Sequence, residues 1–231
     1  MIDQFTNNPF FGLLFTLLAY GFAVTIYKRF NNPLLNPILI SLSIIIPTLL
    51  FFEIPLENFN RGGNIISFFL APATVVLAVP LFKQLELLKS NLIPIMVGCC
   101  AGVVSSILSC YFLGKLLGLN ELIIKSSLPK SITTPIGISL SESIQGAVPI
   151  TILMIVATGI IGAIIAPFII KVFRIRNSVA RGIAIGTASH AIGTSKAIEI
   201  GETEGAMSGL AIGLAGTLTV FILPLLIQLF F

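Results

Sequence analysis

Six runs of this sequence, 9–27, 33–52, 65–82, 92–113, 149–170 and 207–230, are apolar over nearly the length a helix needs to cross a hydrocarbon core, about 20 residues. They fill most of the 231 residues and leave no room for a domain outside the bilayer. The charge content agrees: 10% of residues are charged, where a soluble domain carries about 25%, and the mean hydropathy is +1.07. The chain therefore reads as a single all-α, multi-pass integral membrane domain over 1–231, surrounded by a lipid bilayer. The opening Met1-Ile2-Asp3-Gln4-Phe5 lacks the basic region of a signal peptide, so the first run is expected to persist as a helix.

Two stretches, 120–148 and 179–206, change character. Both are rich in Gly, Ser and Thr, the first also holds Pro129 and Pro135, both carry charges, and neither makes a good continuous helix. Cytoplasmic links collect Lys and Arg, which puts Lys28 with Arg29, Lys83 with Lys89, and Lys171 to Arg181 inside, and the N-terminus outside. These assignments agree only if 120–148 makes no net crossing, as a re-entrant hairpin or as two half-passes. Glu199, Glu202 and Glu204 are then expected outside and the C-terminus inside, with Lys115, Lys125 and Lys130 running against the scheme. A shift of 115 residues lays Leu70-Ala-Pro-Ala-Thr-Val-Val-Leu over Ile185-Gly-Thr-Ala-Ser-His-Ala-Ile. The expectation is two inverted repeats, about 9–117 and about 118–231, with about seven or eight membrane segments, some of them discontinuous or re-entrant.

The candidate chemistry lies in the unusual stretches. In Leu128-Pro-Lys-Ser-Ile-Thr-Thr-Pro-Ile-Gly137, Pro135 lacks an N–H and clashes with a carbonyl one turn back, so it should free backbone groups that hydrocarbon cannot satisfy. Ser131, Thr133 and Thr134 supply hydroxyls there, and Lys130 a positive charge. Glu142 follows, as a proton or cation partner or as the ion-pair mate of Lys130 or Lys196; an intramembrane carboxylate is a functional candidate by default. The second stretch, Gly186-Thr-Ala-Ser-His-Ala-Ile-Gly-Thr-Ser-Lys-Ala-Ile-Glu199, holds the only histidine. Ser189, His190, Thr194, Ser195 and Lys196 together offer hydroxyls, an imidazole and a cation, which suits a carboxylate. His190 titrates near physiological pH and is a candidate proton carrier; a hydrogen-bonded structural histidine is the alternative.

Other classes find no support. Cys99, Cys100 and Cys110 sit in one apolar run, with no metal-ligand spacing. Adjacent Ser189 and His190 point different ways on a helix and follow no Gly-x-Ser-x-Gly elbow. Phosphate-loop and dinucleotide fingerprints are missing, and loop basicity accounts for the net charge of +4. No enzyme activity, cofactor, metal or nucleic-acid partner is expected.

The runs Leu70-Ala-Pro-Ala-Thr-Val-Val-Leu-Ala-Val-Pro-Leu, Leu128-Pro-Lys-Ser-Ile-Thr-Thr-Pro-Ile and Ala188-Ser-His-Ala-Ile-Gly-Thr-Ser-Lys-Ala, followed by Gly201-Glu-Thr-Glu-Gly-Ala and Gly213-Leu-Ala-Gly, resemble the LrgB/CidB family across nearly the whole chain. That family includes bacterial antiholin-like membrane proteins and, as a fused domain, the plastidal glycolate/glycerate translocator. Ala71 stands where the family has Gly, and Ser195 where Ala is common. The resemblance implies a bacterial plasma (inner) membrane protein. Its implied role is either regulation of murein hydrolases and autolysis beside a holin-like LrgA/CidA partner, or transport of small monocarboxylates such as pyruvate, glycolate or glycerate. Broken segments loaded with hydrogen-bond donors suit a carrier better than a simple pore-forming helix. The expected substrate site combines Lys130, Ser131, Thr133 and Thr134 with Ser189, His190, Thr194, Ser195 and Lys196, supported by Pro72, Thr74, Pro135, Glu142 and Gly193. The three motif stretches should meet around one polar cavity near the bilayer centre, with a proton or cation as a candidate co-ion. Small-residue faces at Gly98 to Gly102 and Gly209 to Gly216 permit close helix packing within a protomer or in a homo-oligomer.

Overall fold

In the computed structural model residues 6–30, 32, 35–69, 72, 82–83 and 85–231 are described; helices account for their regular structure, with no strand among them. The chain divides into two compact units, Met1–Val76 and Leu77–Phe231.

The first unit holds α1 (Pro9–Phe30), α2 (Pro37–Phe51) and α3 (Leu56–Phe68). The 22 residues of α1, apolar up to the basic last turn at Lys28 and Arg29 save for two threonines, suffice for a span. Asn36 caps α2, its side-chain oxygen accepting from the Ile38 N–H at 2.9 Å, and Pro37 occupies the first turn. This cap starts the helix late. Its 15 residues reach only about 22 Å, against a core of about 30 Å, so the run 33–52 does not give a full-length spanning helix. α3 packs on α1 backbone to backbone: Gly62 lies against the Pro9 carbonyl and the Leu13 N–H, and Gly12 against the Phe59 carbonyl, leaving no room for a β-carbon. Of the run 65–82, only the end of α3 and a few further residues are described, and Thr74 lies outside the described residues.

The second unit holds α4 (Leu85–Ser90), α5 (Leu92–Leu116), α6 (Glu121–Ser127), α7 (Thr134–Ser143), α8 (Val148–Val172), α9 (Ser178–Ile200) and α10 (Glu202–Phe230). With α1, the helices α5, α8 and α10 make four among the described residues that are long and apolar enough to cross a membrane.

The stretch 120–148 folds back on itself as a hairpin of two short helices. Asn120 caps α6 through the Ile123 N–H, α6 runs inward beside the end of α5, where Ile124 packs on Gly114, and the chain turns at 128–133 before α7 returns. Three fully buried hydroxyl residues fasten this hairpin to the following span. The Thr151 hydroxyl donates to the Ser126 carbonyl (2.8 Å) and bonds the Ser141 hydroxyl (2.7 Å), while the Ala147 N–H donates to the Ser126 hydroxyl (2.7 Å). The tip contacts Ser106, near the middle of α5. Pro135 does not break a helix. It stands in the first turn of α7, where no intrahelical N–H bond is lost.

α9 also folds back on itself. His190 has φ 42° and ψ −139°, and the arms on either side, 178–189 and 191–200, both lean on α10. Arg181 in the first arm pairs with Glu204 at 3.4 Å, Gly186 lies against the Ser208 carbonyl, and Thr194 in the second arm bonds the Ser208 hydroxyl at 2.7 Å. A straight helix would hold Arg181 and Ile200 roughly 28 Å apart. The link to α10 is Gly201 alone, in extended conformation. Glu199, Glu202 and Glu204 therefore share a side with Lys171 to Arg181, and the 3.6 Å pair between Lys83 and Glu202 puts Lys83 there too. This overturns the expectation of opposite sides, and the end of α10 falls on the side opposite to these charges. The two hairpins enter from opposite ends of α5: α6 begins beside Gly114, whereas Ile183 of α9 meets Gly98.

Two apolar clusters fill the unit. Ile95, Cys99, Val179, Ile183, Met207 and Ala211 pack at the α9 entry, and Ile107, Ile124, Leu128, Leu140, Ala215 and Leu223 around the first hairpin. Beyond the second cluster Tyr111 stacks on Phe230 at 4.1 Å.

Two outcomes follow from the break in α9. Single cysteines at Arg176 and Glu202, in a background with Cys99, Cys100 and Cys110 replaced, should react with an impermeant maleimide from the same side; labelling from opposite sides refutes the fold-back. A non-glycine residue at positive φ carries about 1–3 kcal/mol of strain, so His190→Ala, which keeps a β-carbon, should melt below His190→Gly in detergent by the equivalent of about 1 kcal/mol.

Candidate functional site

The hairpins bring their tips to a cavity of about 640 Å³ between α5, α8, α9 and the 128–133 turn. Lys130 and Ser131 enter from the first hairpin, and Ser189, one residue before the break, from the second. The Lys130 ammonium, half-buried, donates to the Ser106 hydroxyl at 3.1 Å and to the Ser131 hydroxyl at 3.3 Å, and the two hydroxyls bond each other at 2.9 Å. No carboxylate pairs with Lys130 among the described residues. An ammonium has three N–H donors, so one N–H of Lys130 is left for a ligand.

Other hydroxyls line the same space: Ser105 and Ser109 on α5, Thr158 on α8 and Thr187 on α9. Gly102 makes room for Thr187, and Gly162 for Ser189, since a β-carbon at either would strike the opposite side chain. Ile161, Ile165 and Ile183 complete an apolar wall. The arrangement offers one cation, several neutral donors and a short apolar surface. It suits a small singly charged anion.

Several expected residues stand elsewhere. His190 is buried, its Nε2–H donates to the Ile155 carbonyl at 2.9 Å, Gly159 lies against the ring, and it does not line the cavity. Thr194 is buried too, donating to the His190 carbonyl at 2.9 Å and bonding Ser208, so it holds the second arm in place. Lys196 pairs with Glu199 at 2.7 Å, and Ser195 is exposed. Thr133 stands just before α7, its hydroxyl making no capping bond, and Thr134 begins the helix; neither lines the cavity. Glu142 is exposed at the end of α7 and forms no ion pair with Lys130 or Lys196. Gly193 lets the second arm close on Ser189 and Ile185 of the first. Pro72 is exposed, and the rest of the first motif, including Thr74, lies outside the described residues apart from this proline.

Sequence reasoning passed over Ser105, Ser106 and Ser109. The signal was present: Ser105 and Ser109 are four apart on an otherwise apolar span, so they share one helix face. Thr158 repeats it on α8, one turn before Gly162.

The comparisons with known proteins agree with a membrane role. Residues 16–229 match the LrgB-like family. The Antiholin-like protein LrgB of Bacillus mycoides is 35% identical over 95% of this chain and 96% of its own length. Two Bacillus subtilis proteins, YxaC at 38% identity and YwbG at 35%, each align over 94% of this chain and cover 95% and 96% of their own lengths. None of these names is that of an enzyme. No solved structure matches the chain. The match to the family over almost its whole length, joined to four helices able to cross a bilayer, identifies this chain as a member of the LrgB-like family of multi-pass membrane proteins.

Proposed function

We propose that this protein is a carrier of small monocarboxylates, of the pyruvate, glycolate or glycerate class, in the bacterial plasma membrane. One observation carries the reading: Lys130, at the tip of a hairpin, faces a hydroxyl-lined cavity and has no carboxylate partner among the described residues. A charge at membrane depth persists where it is paired or functional, and a substrate carboxylate completes this pairing. Ser106, Ser131 and Ser189 then orient the anion, and the isoleucine wall receives its carbon chain.

The architecture of 120–230 supports alternating access. A capped hairpin from Asn120 followed by the span α8 has its counterpart 57 residues on, in a capped hairpin from Asn177 followed by α10. Each hairpin bonds its own span through a pair of buried hydroxyls 2.7 Å apart, Ser141 with Thr151 and Thr194 with Ser208. Two such bodies inserted from opposite sides form an inverted repeat, a construction common to secondary transporters with sites near the midplane. This pairing lies within the second half of the chain, and the wider 115-residue repeat is a separate proposal. The basic side, Lys171 to Arg181, is cytoplasmic by the positive-inside rule.

The relatives' name favours a second reading, an antiholin-like regulator of murein hydrolases and autolysis that acts with a holin-like LrgA/CidA partner. Purified protein in proteoliposomes separates the two. Wild type should exchange labelled pyruvate or glycolate across the membrane. Lys130→Ala should lower exchange about a hundredfold, and Ser106→Ala or Ser189→Ala about tenfold, while exposed Lys89→Ala leaves it unchanged. Absence of exchange by correctly inserted wild type favours the regulator.

A further inference from the structure

We infer that Lys130 is also the proton-coupling group of this carrier, releasing one proton with each carboxylate so that the empty protein returns uncharged. The inference rests on the carrier reading and concerns what drives it.

The partners of Lys130 differ from those of the other half-buried cations. Lys125 is held by Glu121, Lys196 by Glu199 and Arg181 by Glu204, so each already has a carboxylate partner. Among the described residues Lys130 bonds hydroxyls alone. A hydroxyl can accept from an ammonium or donate to a neutral amine, so Ser106 and Ser131 serve both protonation states without rearranging the site. Their mutual bond supplies the hydrogen that the amine would accept.

Among the described residues its surroundings hold no other group suited to the task. Cys110 on α5 and His190 on α9 are the titratable side chains that interact electrostatically with Lys130. Facing it from the remaining elements are Thr158 on α8 and Ser131 in the turn, both neutral. The His190 Nε2–H is committed to the Ile155 carbonyl. Glu142 is exposed at the far end of α7.

The cycle balances. On one side the amine of Lys130 takes a proton, and the resulting ammonium binds the carboxylate as a neutral pair. After the site opens to the other side, the anion leaves and the N–H bond gives its proton to water. The amine then recrosses the membrane phase uncharged. One carboxylate and one proton move per turn, with no net charge. An ammonium that could not lose its proton would exchange one anion for another, yet could not return empty.

The test uses purified protein in proteoliposomes with labelled pyruvate, reading homoexchange without a gradient, net uptake under an inward proton gradient, and internal pH by dye. Wild type should accumulate pyruvate with one proton per anion, unaffected by a clamped membrane potential. Lys130→Arg, permanently charged, should retain exchange but lose about tenfold or more of gradient-driven accumulation. Lys130→Gln, which carries no proton, should accumulate nothing above equilibrium. Accumulation at wild-type level by either variant overturns the coupling role. So does loss of exchange in step with net uptake in both, which makes Lys130 a binding group only. Wild-type exchange with net uptake indifferent to the pH gradient also overturns coupling while leaving the carrier intact, whereas absence of wild-type exchange removes the carrier reading itself.

Discussion

A chain that reverses direction among packed apolar helices uncovers peptide groups that apolar neighbours cannot satisfy, and in the two hairpins of this protein hydroxyl side chains answer that need. At the first, the backbone of Ser126 and Ala147 is bound by the hydroxyls of Thr151 and Ser126. At the second, the Thr194 hydroxyl takes up the carbonyl of His190 at the break itself. Each bond contributes of order 0.6 kcal/mol by itself, but leaving one of these groups unpaired in an apolar interior costs several times as much. The glycines beside them follow from the same demand, because the arms must approach within hydrogen-bonding distance before the bonds can form. The cavity is what remains where the arms end.

This arrangement separates two uses of the same residue types. Serines and threonines that are themselves fully buried, such as Ser141, Thr151 and Ser208, fasten each hairpin to its span. Those at the tips, Ser131 and Ser189, look into open space together with Ser106. Composition cannot tell them apart, since both groups lie in stretches equally rich in Gly and hydroxyls. Their register on the helix decides.

The legible part of the fold was the part written in long-range patterns. Apolar length gave α1, α5, α8 and α10, and loop charges together with the proline-rich 128–137 run pointed to a stretch that turns back. Within the site, Lys130, Ser131 and Ser189 were legible because charge and hydroxyls at apparent membrane depth need a reason. The full reversal at His190 was not, because Gly and hydroxyl residues spread along 179–206 mark a weak helix without marking one turning point, and a strained non-glycine residue leaves no compositional mark of its own. That one omission reversed the placement of Glu199, Glu202 and Glu204, since counting the segment as a crossing carries every later charge to the wrong side. Pro135 misled for a local reason: proline reads alike at a helix start and inside one, and only the extended backbone of Thr133 before it shows that the helix begins here. Lys196 lay three residues from Glu199, a spacing at which helical side chains meet, and its pairing was visible before any ligand was considered.

The single-residue joint at Gly201 has a further consequence. Loops that join membrane helices usually tolerate added residues, because slack outside the bilayer changes little within it. Here α10 starts one residue after α9 ends, and its first turns are already engaged with both arms through Glu204, Gly205 and Ser208. One inserted residue would rotate α10 by about 100° and carry Ser208 away from Thr194. The hairpin and its span thus behave as a single casting, and length variation among chains built this way belongs in the links before Asn120 and Asn177, where a helix cap rather than a packed joint sets the start.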